Sequence, residues 1–460
     1  MTVAKVACQT SDIFSNKLGC ITAFGGRTHD SNSIDLLALQ IVQERVVLNL
    51  APLNVIIGRN GSGKSVISRL PLLLASGLKD EAEAPVDLFA GGVLHSSRYE
   101  DLIYERSAQP FELGAQIGQG LGSLRFITTL RFVIEKHTLA IERFELYEGE
   151  DHLLCQLEID SPEELLRPEP RYRRQQPRGE ATIQSVHTVH FEGLFPDWVS
   201  DDELLSIELT RIRSHFKAAF ANPAYLGPFR SHANEGPTLP GQGIRVLGPR
   251  GERAGDMVAD DKLRGAGELT RLVENWFEES MGGSRVTLKQ NDRNPTLVVF
   301  DSERNIEVDL SETGAGFGQV LPVVVQTFAR VLGRIKSPLL ITEQPELHLH
   351  PAAHGAVGDL FITAVNNSTP LLPVIVLCET HSEQIVTRLR RRIAEGVLSH
   401  ADVKIFSVAH QEAPDSPIEP VREIKLDRFG TPDAWPVGVF DEAFKDLVEL
   451  RQAVREKQAD

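Results

Sequence analysis

Gly58, Asn60, Gly61, Gly63, Lys64 and Ser65 fall within the stretch "GRNGSGKS", which follows the apolar run Leu53–Ile57 and opens a helical pattern. Strand, glycine turn and helix form the context in which Gly-x4-Gly-Lys-Ser cradles phosphates. The glycines let backbone N–H groups curl around phosphate oxygens with no Cβ in the way. The helix start adds its positive end. Lys64 is expected to reach β- and γ-phosphates, and Ser65 to ligate Mg²⁺ through its hydroxyl, so ATP and Mg²⁺ are the expected cofactors.

A second group of residues lies almost 280 positions downstream. The apolar run 339–342 ends at Glu343, an acid placed to bind Mg²⁺ directly or through its water. Another apolar run, 374–378, is followed by "ETHS", where His381 can bond a γ-phosphate and Ser382 can cap the next helix. Between the P-loop and these strands, Gly314, Gly316 and Gly318 precede Gln319 and a long apolar helix. A glycine turn opening a helix is an anion-binding device, or a plain turn that uses glycine for φ > 0.

These residues need a large scaffold, and 460 residues with 41% hydrophobic and 24% charged content supply one or more ordinary globular cores. No apolar stretch approaches the ~18 residues of a membrane span, and the N-terminus lacks the apolar core of a signal peptide. Four scattered cysteines fit a reducing cytoplasmic setting better than a disulfide framework. The net charge of −16 argues against broad coating of nucleic acid, leaving room for a local basic groove.

The P-loop, the late glycine turn, "EQPELHLHP" and "ETHSE", in that order, resemble the ABC-type ATPase heads of the structural-maintenance-of-chromosomes, RecF and overcoming-lysogenization-defect group. The resemblance runs from about Ser33 to Glu442. More narrowly, "YLGPFR", "GFGQVLPVV" and "WPVGVF" make the chain similar to stand-alone bacterial AAA-type ATPases with a C-terminal domain of unknown function, several of which act in antiphage defence beside a separate nuclease. The resemblance implies an α/β P-loop NTPase fold with a mixed sheet and an inserted α/β arm. It also implies a homodimer or higher oligomer, because the glycine turn of one head serves the γ-phosphate of another, and a separately encoded effector such as a nuclease. A RecF-like DNA-repair ATPase and a non-hydrolytic scaffold are the alternatives.

Two departures stand out. Gly318 occupies the position where relatives place Ser before Gln319. Gln344 stands where many such heads keep the water-activating Glu, and an amide cannot take a proton from water, though it can orient one. Slow turnover is therefore expected, with Glu343, Gln344 and His381 as the catalytic set and Glu346 as a substitute base. His348, His350 and His354 are expected to serve structure or a dimer contact more than metal.

The expected organisation is an N-terminal extension over 1–33, the first head part over 34–120, a β-rich and helical arm over 121–221, the second head part over 222–425, and a helical segment over 426–460. Residues 167–180, "RPEPRYRRQQPRGE", read as an exposed loop. Arg171, Arg173 and Arg174 there are candidates for DNA contact, with Tyr172 available for stacking, against a solvated loop as the plainer alternative.

Overall fold

The computed structural model describes the backbone of Ile34–Ala38 and residues 46–103, 109–149, 151–178, 181–231, 237, 243–290, 295–413, 416–440 and 442–459. The extension 1–33, with Cys8 and Cys20, lies outside the described residues. The chain divides into two compact units: Met1–Asn49, Leu73–Ala90 and Ser96–Phe220 form one, and Leu50–Leu72, Gly91–His95 and Ala221–Asp460 form the other. The span 34–120 is thus shared between the units.

The P-loop unit is built on a six-stranded sheet in the order Ala224–Leu226, Leu339–Glu343, Ile375–Glu379, Leu53–Ile57, Val403–His410, Glu419–Ile424. The first five strands are parallel and the sixth is an antiparallel edge. LNVII, LLITE and IVLCE are buried at every residue. Such unbroken burial is what a parallel sheet covered on both faces requires. Asn54, polar within one of these strands, is satisfied: its Oδ1 accepts from Ala51 N–H at 2.8 Å and its Nδ2 donates to Val376 O at 3.2 Å. The helix Ala315–Val331 is buried continuously from Gln319 to Arg330, as a core helix that is apolar all round should be. Ligands of open α/β sheets bind at the carboxyl ends of the strands. Here that edge carries Glu343 and Glu379, paired directly across the register. With the P-loop joining Leu53–Ile57 to the helix Lys64–Ser76, this is an α/β P-loop fold.

The other unit is a nine-stranded antiparallel sheet in the order Phe195–Val199, Ala181–Glu192, Arg171–Arg178, His152–Ile159, Thr138–Glu148, Leu124–Val133, Phe111–Ile117, Ile34–Ala38, Val46–Asn49. Phe126, Phe144, Phe195 and Phe216 form its aromatic centre, with edge-to-face centroid distances of 4.8 Å for Phe126–Phe216 and Phe144–Phe195. Phe216 comes from the helix Glu203–Ala219, whose N-cap Asp202 accepts from Leu205 N–H at 3.0 Å.

This unit corrects the loop expected over 167–180. Arg171–Arg178 is an interior strand, paired on both sides. Alternation decides it: Tyr172 and Arg174 turn inward, Arg171 and Arg173 outward. Tyr172 is 2% exposed and donates to Ile141 O at 2.7 Å, so its ring is no stacking platform. Each of the three arginines meets an acid: Arg171 with Glu164 at 3.1 Å, Arg173 with Asp160 at 3.4 Å, and Arg174 with Asp202. Among the described residues, no helix is long and apolar enough to cross a membrane.

Candidate functional site

The loop between Ile57 and Lys64 turns through glycines at positive φ, with Gly63 at +94°. A Cβ at Gly58 would lie 2.7 Å from Val408 O and 2.9 Å from Ser62 Oγ, so only glycine fits there. At Gly61 and Gly63 a Cβ would meet nothing within 4 Å, leaving an open cradle on that side. Lys64, 4% exposed, donates to the carbonyls of Gly58 at 3.0 Å and Arg59 at 2.7 Å. Burial lowers its pKa, against the pull of Glu379. Ser62 Oγ is out of solvent and has no hydrogen-bond partner. An open cradle, a buried ammonium and an unpartnered hydroxyl at a helix start suit phosphate oxygens.

The acids sit beneath this loop, arranged by a helical face. Ser65, Ser68 and Arg69 are spaced i, i+3, i+4 on the helix Lys64–Ser76 and meet the ends of two strands. Glu343, 1% exposed, forms a bidentate pair with Arg69, Nε and Nη2 each 2.6 Å from its oxygens, and accepts from Ser68 Oγ at 3.0 Å. The Glu343 hydrogen bond raises the Arg69 pKa further, and the guanidinium lies 5.9 Å from the centroid of the Tyr225 ring. Glu379, 2% exposed, accepts from Ser65 Oγ at 3.0 Å and Ser68 Oγ at 3.1 Å. Burial, and next the Glu343 charge, raise its pKa. Ser65 was expected to share a metal with Glu343; the carboxylate it bonds here is Glu379.

Gln344 adopts φ +44°, an uncommon conformation for a residue with a Cβ. Its N–H donates to Glu379 O at 2.7 Å and its carbonyl accepts from Arg230 Nη2 at 3.2 Å. Such over-determined backbone is typical of strain held at a functional turn. Arg230 is 2% exposed and also donates to Glu343 O at 2.6 Å and Gln319 O at 3.2 Å. Burial lowers its pKa to about 10, which leaves it charged at neutral pH. Glu346, considered above as a base, is buried and accepts from His381 N–H at 2.7 Å. It therefore fixes the backbone of the His381 turn. His381 itself has an exposed ring whose pKa is lowered by partial burial and then by the Lys64 charge, so it is neutral at pH 7.

The glycine turn is a helix start: Gly314 is the N-cap and Gly316 and Gly318 lie in the first turn of Ala315–Val331. A Cβ at Gly316 would be 3.0 Å from His348 O, while Gly314 and Gly318 face open space. Gln319, expected to contact nucleotide, is 3% exposed and engaged within the chain. Its Nε2 donates to Arg230 O at 2.9 Å and its Oε1 accepts from Arg230 N–H at 3.2 Å. The position inside the buried face of the helix explains this. Two of the three histidines bond within the chain: His350 Nδ1 accepts from Ala352 N–H at 3.2 Å, and His354 bridges Ser382 Oγ at 2.8 Å and Leu349 O at 3.2 Å. Among the described residues, no group of three or more His, Cys, Asp or Glu could hold a metal by itself. A metal here would need oxygens from phosphate, water and Ser65 beside a carboxylate.

Sequence reasoning did not single out Ser68, Arg69 and Glu379. Glu379 had the same signal as Glu343, an acid closing a buried apolar strand. Arg69 had the helical spacing from Ser65. The segment behind the P-loop was also silent: Arg59 Nη2 donates to Val437 O at 3.0 Å, within "WPVGVF".

A family described as a protein of unknown function (DUF3696) matches residues 398–450. That stretch includes the two strands Val403–His410 and Glu419–Ile424, so it completes the P-loop sheet. Comparison with curated proteins gives no match. Among solved structures, the chain is similar to an SMC head bound to the C-winged helix domain of ScpA (12% identity, 86% of this chain and 98% of that one, TM-score 0.42). It is also similar to the SMC head domain from Thermotoga maritima (9%, 86% and 98%, 0.38). A third is an Smc head domain with an extended coiled coil, bound to the C-terminal domain of ScpA derived from Pyrococcus furiosus (12%, 91% and 98%, 0.39). Likenesses this distant carry no functional argument.

Proposed function

We propose that this chain is an ATP-binding, slowly hydrolysing ABC-type ATPase that works as a nucleotide-held switch. The observation that supports it most is the buried cluster under the P-loop: Lys64, Ser65, Glu343 and Glu379 around an open glycine cradle. Lys64 would exchange the Gly58 and Arg59 carbonyls for phosphate oxygens. Bound Mg²⁺ would supply charge neutralisation at the phosphates. Gln344, pinned by its own backbone bonds, orients water without taking its proton, and neutral His381 beside Lys64 bonds the terminal phosphate.

The exposed turn at Gly314 suits the terminal phosphate of a second copy, so ATP would close a homodimer. The resemblance in "YLGPFR", "EQPELHLHP" and "WPVGVF" favours control of a separately encoded effector such as a nuclease, in antiphage defence in the cytoplasm. The DNA-repair alternative loses support from Arg171, Arg173 and Arg174, which are all paired with acids.

Binding of a fluorescent ATP analogue to wild type and Lys64→Ala tests the core of this. A charge-assisted bond is worth ~1.5–3 kcal/mol, so affinity should fall by ~10–100-fold with folding intact. Equal affinity in both proteins refutes the site. Gln344→Glu should then raise hydrolysis by on the order of 10²-fold if the missing base limits chemistry.

A further inference from the structure

We propose that the turn 435–440 is a clasp that holds the P-loop ready for nucleotide, with Arg59 as the positioning residue it grips. The inference rests on the nucleotide site proposed above. It gives a role in that site to the segment matched by the family of unknown function.

Arg59 is the second residue of the P-loop and is held at both ends. Its carbonyl accepts from Ser62 N–H at 3.3 Å and from Lys64 Nζ at 2.7 Å, which closes the turn of the loop. Its guanidinium bridges 378 positions of sequence and donates from Nη2 to Val437 O at 3.0 Å. The receiving turn is shaped around that group. Gly438 has φ +72°, and a Cβ there would lie 2.7 Å from Arg59 Cζ and closer still to Nη2. A side chain at this position would displace the guanidinium and strain the turn.

The turn is anchored independently of Arg59. Val437 N–H donates to Gln411 O at 2.8 Å, one residue beyond the strand Val403–His410. Trp435 Nε1 donates to Val439 O at 2.8 Å, and the Trp435 and Phe440 ring centroids are 6.1 Å apart. The strand Val403–His410 runs beside the P-loop strand with Ser407 opposite Ile57, and its Val408 O leaves no room for a Cβ at Gly58. One segment therefore bounds the P-loop at two successive residues, through Val408 at Gly58 and Val437 at Arg59.

A glycine-rich loop that wraps phosphate loses conformational freedom on binding unless its shape is fixed beforehand. In the proposed site, phosphate draws Lys64 away from the Gly58 and Arg59 carbonyls. The clasp and Ser62 N–H then remain to keep Arg59 in place. The effect is reciprocal: whatever the clasp adds to ATP affinity, bound ATP adds to the clasp.

The test measures binding of a non-hydrolysable ATP analogue to wild type, Arg59→Ala, Arg59→Lys, Gly438→Ala and the Arg59→Ala, Gly438→Ala double variant. Folding is checked by thermal melting, and amide hydrogen exchange across 435–440 is followed with and without the analogue. Coupling between linked sites is typically ~5–150-fold, and an exposed guanidinium places this one near the low end. Arg59→Ala should weaken binding by ~5–10-fold with little change in melting temperature. Arg59→Lys, which can still donate to Val437 O, should recover part of that loss. Gly438→Ala should match Arg59→Ala, and the double variant should bind no worse than either, because both remove one interaction. The analogue should slow exchange across 435–440 in wild type and leave it unchanged in Arg59→Ala. Equal affinity in wild type and Arg59→Ala, additive losses in the double variant, or exchange indifferent to the analogue overturns the clasp. If Gly438→Ala does not fold, the two Arg59 variants and the exchange measurement decide. Wild type that binds no analogue refutes the nucleotide site and the clasp with it, whereas tight binding that Arg59→Ala leaves intact refutes the clasp alone.

Discussion

Arginine meets carboxylate in both units of this chain, with opposite consequences. In the antiparallel unit, Arg171 and Arg173 have exposed side chains and find the acids Glu164 and Asp160. Solvent screens such pairs, and they trim stability while committing no charge to function. In the P-loop unit, two carboxylates that are 1% and 2% exposed lie side by side, and one of them bonds the Arg69 guanidinium. One acid is paired and the other is left with hydroxyls. At the candidate site the charges do not cancel pairwise, and an incomplete set leaves a place for a ligand's charge.

The largest break in this contrast should come from Arg69→Ala. It leaves buried Glu343 without its counter-ion, and removing one partner of a buried pair costs ~3–5 kcal/mol. Urea denaturation followed by intrinsic fluorescence should show that loss, and Arg69→Ala combined with Glu343→Gln should recover a large part of it. A double variant no better than the single one would mean that Arg69 acts through Tyr225 packing instead.

Within the antiparallel unit the same substitution should grade with burial. Arg174 is 8% exposed and bonds the helix N-cap Asp202, so Arg174→Ala should cost ~1.5–3 kcal/mol. Arg173→Ala, at a solvent-exposed pair, should cost ~0–1 kcal/mol. Equal losses in urea melts would show that the strand, and not the pairs, sets stability there.

The smallest effects concern pH, where the two units should respond with opposite signs. The Arg213 hydrogen bond to Glu192 holds that carboxyl below its ordinary 4.5. Its contribution is present above pH 4.5 and is lost as pH falls through the depressed value. Burial pushes Glu346 above 4.5, despite the bond from His381 N–H. Its ionised form therefore costs stability, and the cost is relieved as pH falls through the raised value towards 4.5. Glu192→Gln should flatten the acid limb of a stability-versus-pH curve below 4.5. Glu346→Gln should flatten the slope above 4.5 and be relatively more stable at pH 8 than at pH 5. Two curves moving the same way would contradict the contrast.

Much of the P-loop unit was legible because its signals are local. Buried parallel strands show as apolar runs, and Gly58, Gly63, Lys64 and Ser65 fall within eight residues, the spacing that wraps a phosphate. The strand Arg171–Arg178 was illegible for the opposite reason. Its residues are charged, and only the neighbouring strands and the acids Glu164, Asp160 and Asp202 make a buried register tolerable for them.

By itself, then, the sequence determined that a P-loop turn lies between a buried strand and a helix, that an acid closes a later strand, and that an amide, Gln344, follows that acid. Tertiary structure alone decided which acid meets Ser65. Glu343 and Glu379 are 36 residues apart with nearly identical local patterns, and nothing along the chain ranks them. Sheet order and the helical spacing of Ser65 and Arg69 do so, because charges pair by distance in space and not by order in sequence.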